Sequence, residues 1–257
     1  MIRGRNMNFR NRILVALWIT LLSGSVCFAQ GVGVERDQKA LEVLNSMSEY
    51  TASLDRLVLR GTAFTDGRLQ DGLIVSNASE VVVTIDRPGS MHLSNFDGVT
   101  TKELFFHEGS LTLFDSERNF YAQASIPNDI DAAAEFALEE MGIEAPVMDL
   151  IYRDIASQLA GEHDPVIYLT DKARVGGVNC HHIAIRGPEV DIQVWVEEGD
   201  RPVPRKIMIT SKWESGAPRF FANMVWDSSP QIAPSVFEFV APEGAMDIGF
   251  VSQASKP

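Results

Sequence analysis

The stretch "TKELFFHEGSLTLFDSERN", Thr101 to Asn119, holds two runs that alternate in character, joined by Glu108-Gly109. A glycine between alternating segments takes the positive φ that a primed hairpin turn requires. The stretch therefore predicts two antiparallel strands. The same grammar extends to both sides. "LDRLVLRGTAF", "DGLIVSN", "EVVVTIDRP" and "SMHLSNF" precede it, and "FYAQASIP" follows. Asp66-Gly67, Asp71-Gly72 and Asp97-Gly98 punctuate them. From Leu57 this predicts seven strands in an antiparallel meander. Strand–helix–strand crossovers are absent, which argues against doubly wound and TIM architectures.

One helix precedes the meander. In "RDQKALEVLNSMSEYTASLDRL", Ala40, Leu41, Leu44, Met47, Thr51 and Leu54 recur every three or four residues, with Asp37 as the cap. A second helical region, about residues 128–165, interrupts the β pattern. Ala133, Phe136, Ala137, Glu140 and Met141 form one stripe there, and Pro146 separates it from "VMDLIYRDIASQL". This insert is predicted to plug the sheet. Strands then resume with "VIYLTDKARVGG" and "VNCHHIAIRG", a three-stranded meander from Asp191, and "SVFEFVAPEGA" as the last strand. The fold class is mainly β (α+β). About twelve strands curl into a half-open antiparallel barrel around the helices, which solves both burial and exposed edges.

The first residues are read as an export signal. Arg3, Arg5, Arg10 and Arg12 precede the apolar run "ILVALWITLL", and Ala29 is placed for cleavage before Gln30. Lipidation of Cys27 is a second reading, but Gly24 and Val26 fit a lipobox poorly. The domains are then 1–29, a signal peptide, and 30–257, a single domain. Without residues 1–29 the charge is 18 − 35 = −17, from 22 basic residues less four and 35 acidic ones. Such a surface repels polyphosphate, so nucleic acid is excluded as a partner. One cysteine, Cys180, remains, so no intramolecular disulfide forms. No second long apolar run exists, so the exported chain has no transmembrane segment and is soluble or peripheral to the envelope.

Three constellations bear on chemistry. In "VNCHHIAIR", Cys180 and His182 share one strand face, with His181 and Ile183 on the other. They are candidate metal ligands. A site needs at least three, and His92, His107 and His163 have no ligand-like spacing. A packed strand is the preferred reading, and a nucleophilic Cys180 ranks below the metal. Glu139-Glu140 and Glu197-Glu198 read as solvated surface. No Gly-x-Ser-x-Gly, Gly-x-Gly-x-x-Gly or phosphate loop is present, and no cofactor is implied. Trp195, Met208, Trp213, Phe220, Met224 and Trp226 crowd the C-terminal meander, and adaptable side chains of this kind suit an apolar cavity.

"TIDRPGSMHL", "FFHEGSLTLFDSERNFYAQASIP", "APVMDLI", "VGGVNCHHIAIR", "DIQVWVEEGDRPVPRKIMIT" and "FEFVAPEGA" together resemble a bacterial family of predicted periplasmic proteins. That domain of unknown function lies near the LolA/LolB-like lipoprotein-carrier superfamily. The resemblance spans roughly Asp37 to Phe250. It implies a half-open, apolar-lined barrel plugged by helices, and relatives that bind lipids, acylated lipoproteins or envelope-stress signals. The expectation is a periplasmic, non-enzymatic binding protein for a lipid, acyl chain or lipoprotein. The alternatives are an envelope sensor or scaffold that binds a protein partner, and an enzyme at Cys180 and His182.

Overall fold

A computed structural model describes residues 37–141, 150–160 and 166–250. The predicted export signal, Cys27, the Ala29/Gln30 cleavage point and Pro146 lie outside these residues. Helix α1 (Gln38–Ala52) leads into β1 (Arg56–Arg68), β2 (Ile74–Asp86), β3 (Ser90–Phe96), β4 (Thr101–His107), β5 (Ser110–Asp115) and β6 (Phe120–Ser125). Helices α2 (Ile130–Met141) and α3 (Ile155–Ala160) follow. Then come β7 (Val166–Val175), β8 (Val178–Arg186), β9 (Val190–Glu197), β10 (Pro204–Ser211) and β11 (Arg219–Asp227). A short 3-10 helix (Pro234–Phe237) and β12 (Met246–Asp247) close the chain.

All twelve strands form one sheet, in the order β12-β6-β5-β4-β3-β2-β1-β11-β10-β9-β8-β7. Each consecutive meander is antiparallel, and β1 pairs antiparallel with β11 to join the two blocks. The join is tight, because a Cβ at Gly61 would lie 2.3 Å from the Asn223 carbonyl oxygen. Glycine is what lets the two central strands meet there. The order does not close, so the barrel is half-open, as expected. At the β4–β5 turn, Glu108 and Gly109 adopt φ of 47° and 79°, the primed turn that the opening stretch predicts.

Asp37 caps α1 through its carboxylate, which accepts from the Lys39 and Ala40 amides at 2.9 and 3.2 Å. Ala40, Leu44, Met47, Ser48 and Thr51 form its buried stripe. On α2 the buried face is Ile130, Ala133, Ala134 and Ala137. Glu140, placed on that stripe by the sequence pattern, is exposed.

Three other expectations are corrected. "DGLIVSN" and "EVVVTIDRP" are one strand, β2, so the first block has six strands rather than seven. Asp66-Gly67 is no turn but lies inside β1, where Asp66 pairs with Ser76. Its carboxylate is buried and takes bonds from Ser76 and Arg219, so its polarity reflects cross-strand bonding. "SVFEFVAPEGA" is no strand either. Pro234 and Pro242 cannot donate to a ladder, and Phe237 and Phe239 instead dock on the sheet. The rings of Phe105, Phe114 and Tyr121 lie 5.4, 5.6 and 5.1 Å from that of Phe239. This tail straps the outer face of β4–β6 before β12 joins β6 in parallel.

Candidate functional site

Strand alternation gives the sheet a concave face that is apolar from end to end. Leu111, Phe106, Met91, Ile85, Leu59, Met224, Ile207, Val194 and Ile183, one from each of nine neighbouring strands, belong to one core. Helices α1, α2 and α3 cover this face, with Ala40, Leu44, Met47, Ile130, Ala133 and Ile155 in the same core. Leu150 and Ile151, in the turn before α3, are buried with them.

One buried cation ties the cover to the sheet. Arg87 follows β2, and its side chain is 3% exposed. Its Nη1 lies 3.3 Å from Asp131 Oδ1 on α2, and its Nη2 donates to the Ile151 carbonyl. Asp131 Oδ2 also accepts from the Arg153 amide at 3.0 Å. Burial pulls the Arg87 pKa down while Asp131 pushes it up, and a guanidinium so placed stays charged. Its Nε has no partner among the described residues. A second tether joins α1 to α3, where Ser48 Oγ accepts from the Ala156 amide at 3.2 Å. The cover is therefore held by apolar packing and a few polar bonds. Arg87 belongs to no candidate-site motif that the sequence pattern singles out. The one signal was an arginine closing the apolar run "VVVTIDR".

The six residues read as a cavity lining do not share one face. Phe220, Met224 and Trp226 pack on the concave core. Trp226 Nε1 also donates to the Pro204 carbonyl at 2.7 Å. Trp195 and Met208 lie on the convex face. There Trp195 is stacked on His182, with ring centroids 4.2 Å apart, and Lys206 Nζ lies 4.7 Å from its ring. Trp213 sits in the β10–β11 loop, exposed.

Cys180 and His182 share the convex face, as read. Each has its own partners. His182 Nε2 bonds Gln193 Oε1 at 3.0 Å. Cys180 is fully buried, and its thiol donates to the Val178 carbonyl at 3.6 Å. Burial pushes its pKa up, the opposite of what a nucleophile or metal ligand needs. Among the described residues no group of three or more His, Cys, Asp or Glu could hold a metal. His181 points the other way, toward α1, and borders a cleft of about 230 Å³ with Lys39, Glu42 and Pro202. A second cleft, about 340 Å³, opens between the convex face and the C-terminal strap at His107, Thr112, Phe237 and Phe239.

The chain belongs to the family described as a predicted periplasmic protein (DUF2092), which matches residues 40–251. A search of curated proteins finds no match. Solved structures resemble the fold. The Mycobacterium tuberculosis lipoprotein LppX aligns at 9% identity and TM-score 0.46, covering 77% of this chain and 100% of that one. LprF from Mycobacterium bovis aligns at 10% identity and TM-score 0.45, covering 82% and 100%. A LolA superfamily protein from Nitrosomonas europaea aligns at 10% identity and TM-score 0.37, covering 78% and 97%. The periplasmic location in the family's description is the one the export signal predicts.

Proposed function

We propose that this protein is a non-enzymatic periplasmic binding protein that takes a lipid, an acyl chain or the acylated end of a lipoprotein against the concave face of its sheet. The observation that carries this reading is the uninterrupted apolar concave surface, covered by short helices rather than by a second sheet. An acyl chain gains about 0.8 kcal/mol per buried methylene. It would compete with the helix side chains for the same face. The Arg87–Asp131 bond then sets how readily the cover yields.

Native mass spectrometry of protein purified from periplasm without detergent tests this, followed by solvent extraction and lipid analysis. Added mass that resolves into a lipid class is the expected result. A clean apo mass, with no uptake of offered phospholipid or acylated peptide, overturns the reading.

A second reading, a sensor or scaffold that binds a protein partner, draws support from one observation: helix side chains already fill the concave face. A partner recovered by pull-down with a lipid-free protein would favour it.

A further inference from the structure

The β1–β2 hairpin ends in the turn Leu69–Leu73, and the β10–β11 hairpin ends in the loop 212–218. Because β1 and β11 are neighbours, the two tips stand side by side at one end of the barrel. They touch, since a Cβ at Gly216 would lie 3.0 Å from Ile74 Cδ1. Leu69, Leu73, Ile74, Val75 and Trp213 crowd this end. They are five of the twelve exposed large apolar side chains among the described residues, with Leu73 58% and Trp213 66% exposed. Single exposed apolar residues are ordinary, but a contiguous group on projecting tips is not.

We infer that these paired tips form a membrane-docking surface that enters the interfacial layer of a lipid bilayer. Two observations favour a bilayer over a protein. The turn backbones are satisfied in part from within: Leu69 N bonds Leu73 O at 2.8 Å, Gly72 N bonds Leu69 O at 2.9 Å and Ala217 N bonds Glu214 O at 3.0 Å. The Leu73 amide is held by Asp71 Oδ1 at 3.0 Å. Such turns enter a water-poor layer without stranding those amides. Trp213 supplies the amphipathic ring that partitions to the headgroup level.

Of the bordering charges, Arg219 is matched by Asp66 at 3.1 Å and Lys212 by Asp191 at 2.7 Å, while Arg68, Asp71 and Glu214 stand exposed on the tips without an ion pair among the described residues, one positive against two negative. The chain as a whole carries −13. Docking is therefore driven by apolar contact and suits a zwitterionic surface rather than an anionic one. This surface is separate from the concave face and does not depend on what that face carries.

Flotation with phosphatidylcholine vesicles tests the inference, alongside quenching of tryptophan emission by brominated lipid. The wild-type chain co-floats at all salt concentrations and its emission is quenched. Leu73→Ser and Trp213→Ser each lower the partition coefficient about tenfold, as expected for one large apolar side chain left in water. The pair together abolishes co-flotation, and Leu69→Ser with Val75→Ser repeats the loss through different residues. Val240→Ser, on the strap and more exposed to solvent at 80%, changes nothing. Simple extraction of a lipid into the concave face leaves the protein unfloated, which separates cargo uptake from docking. Three outcomes overturn the inference. One is a wild-type chain that does not float. Another is binding that needs anionic lipid and vanishes in salt. The third is a chain that ignores vesicles but retains a periplasmic protein that Trp213→Ser releases.

Discussion

Arg87 and Asp131 are 44 residues apart in sequence and 3.3 Å apart in space, joining the end of β2 to the first turn of α2. A buried guanidinium that loses its partner, or is itself removed, costs more than an exposed pair would. Arg87→Gln should destabilise the fold by about 2–3 kcal/mol, since charge-assisted bonds to Asp131 and the Ile151 carbonyl are lost together. Asp131→Asn should cost at least as much, because it leaves the Arg87 charge, 3% exposed, without its counter-ion where water cannot replace it. Urea unfolding of the two variants checks the order. Equal midpoints for Arg87→Gln and wild type would show that the pair does not hold the cover.

Cys180 should be silent in the folded state. It is fully buried, and burial pushes its thiol pKa up. In protein lacking residues 1–29, Ellman's reagent should titrate no thiol at pH 8 under native conditions and one thiol in denaturant. Added zinc should leave that result unchanged. Rapid native labelling would restore the reactive-thiol reading.

Local patterns explain what could be read in advance. The α1 stripe, the Asp37 cap and the β4–β5 hairpin depend on residues a few positions apart, so sequence carries them. The sidedness of β8–β11 does not. Parity separates Trp195 from Val194 and Met208 from Ile207, but both faces are apolar, and only the position of the helices decides which is inner. The convex face is rich in rings because they stack on one another and on Lys206: His182 on Trp195, and Phe64 on Phe221 with centroids 4.6 Å apart. Composition does not distinguish such a ladder from a cavity lining. Arg87 escapes the local pattern for a related reason, since its partners come from an insert far along the chain. The strap departs from the expected strand because its Phe-rich alternating run carries Pro234 and Pro242, which cannot donate to a ladder.

Phe239 should act as the anchor of that strap. Its ring meets Phe105, Phe114 and Tyr121, while the neighbouring Val240 is 80% exposed. β12 contributes little hold of its own, with the Met246 and Ile248 amides bonding the Asn119 and Tyr121 carbonyls at 3.0 and 2.9 Å. Phe239→Ala should cost about 2 kcal/mol globally, below the value for a fully buried ring. Hydrogen exchange at Met246 and Ile248 should accelerate far more than exchange in β1. Unchanged protection at those amides would show that β12 holds itself.

Asp66 gives the fold a defined acid sensitivity. Burial raises the pKa of its carboxyl, but bonds from Ser76 and Arg219 outweigh this and hold it below the ordinary 3.8. A carboxyl with a depressed folded-state pKa binds its proton more readily when unfolded. Its contribution is therefore complete above about pH 4 and is lost as the pH falls through the lower folded-state value. Asp66→Asn should lose about 2 kcal/mol at neutral pH, because a charged acceptor to Arg219 is gone and a buried amide replaces it. The same variant should show a shallower decline in stability below pH 4 than wild type. Urea midpoints measured from pH 7 to pH 2.5 check both parts at once. Parallel curves for variant and wild type in the acid limb would mean that other carboxylates set the acid transition and that the Asp66–Arg219 bond contributes no net proton linkage.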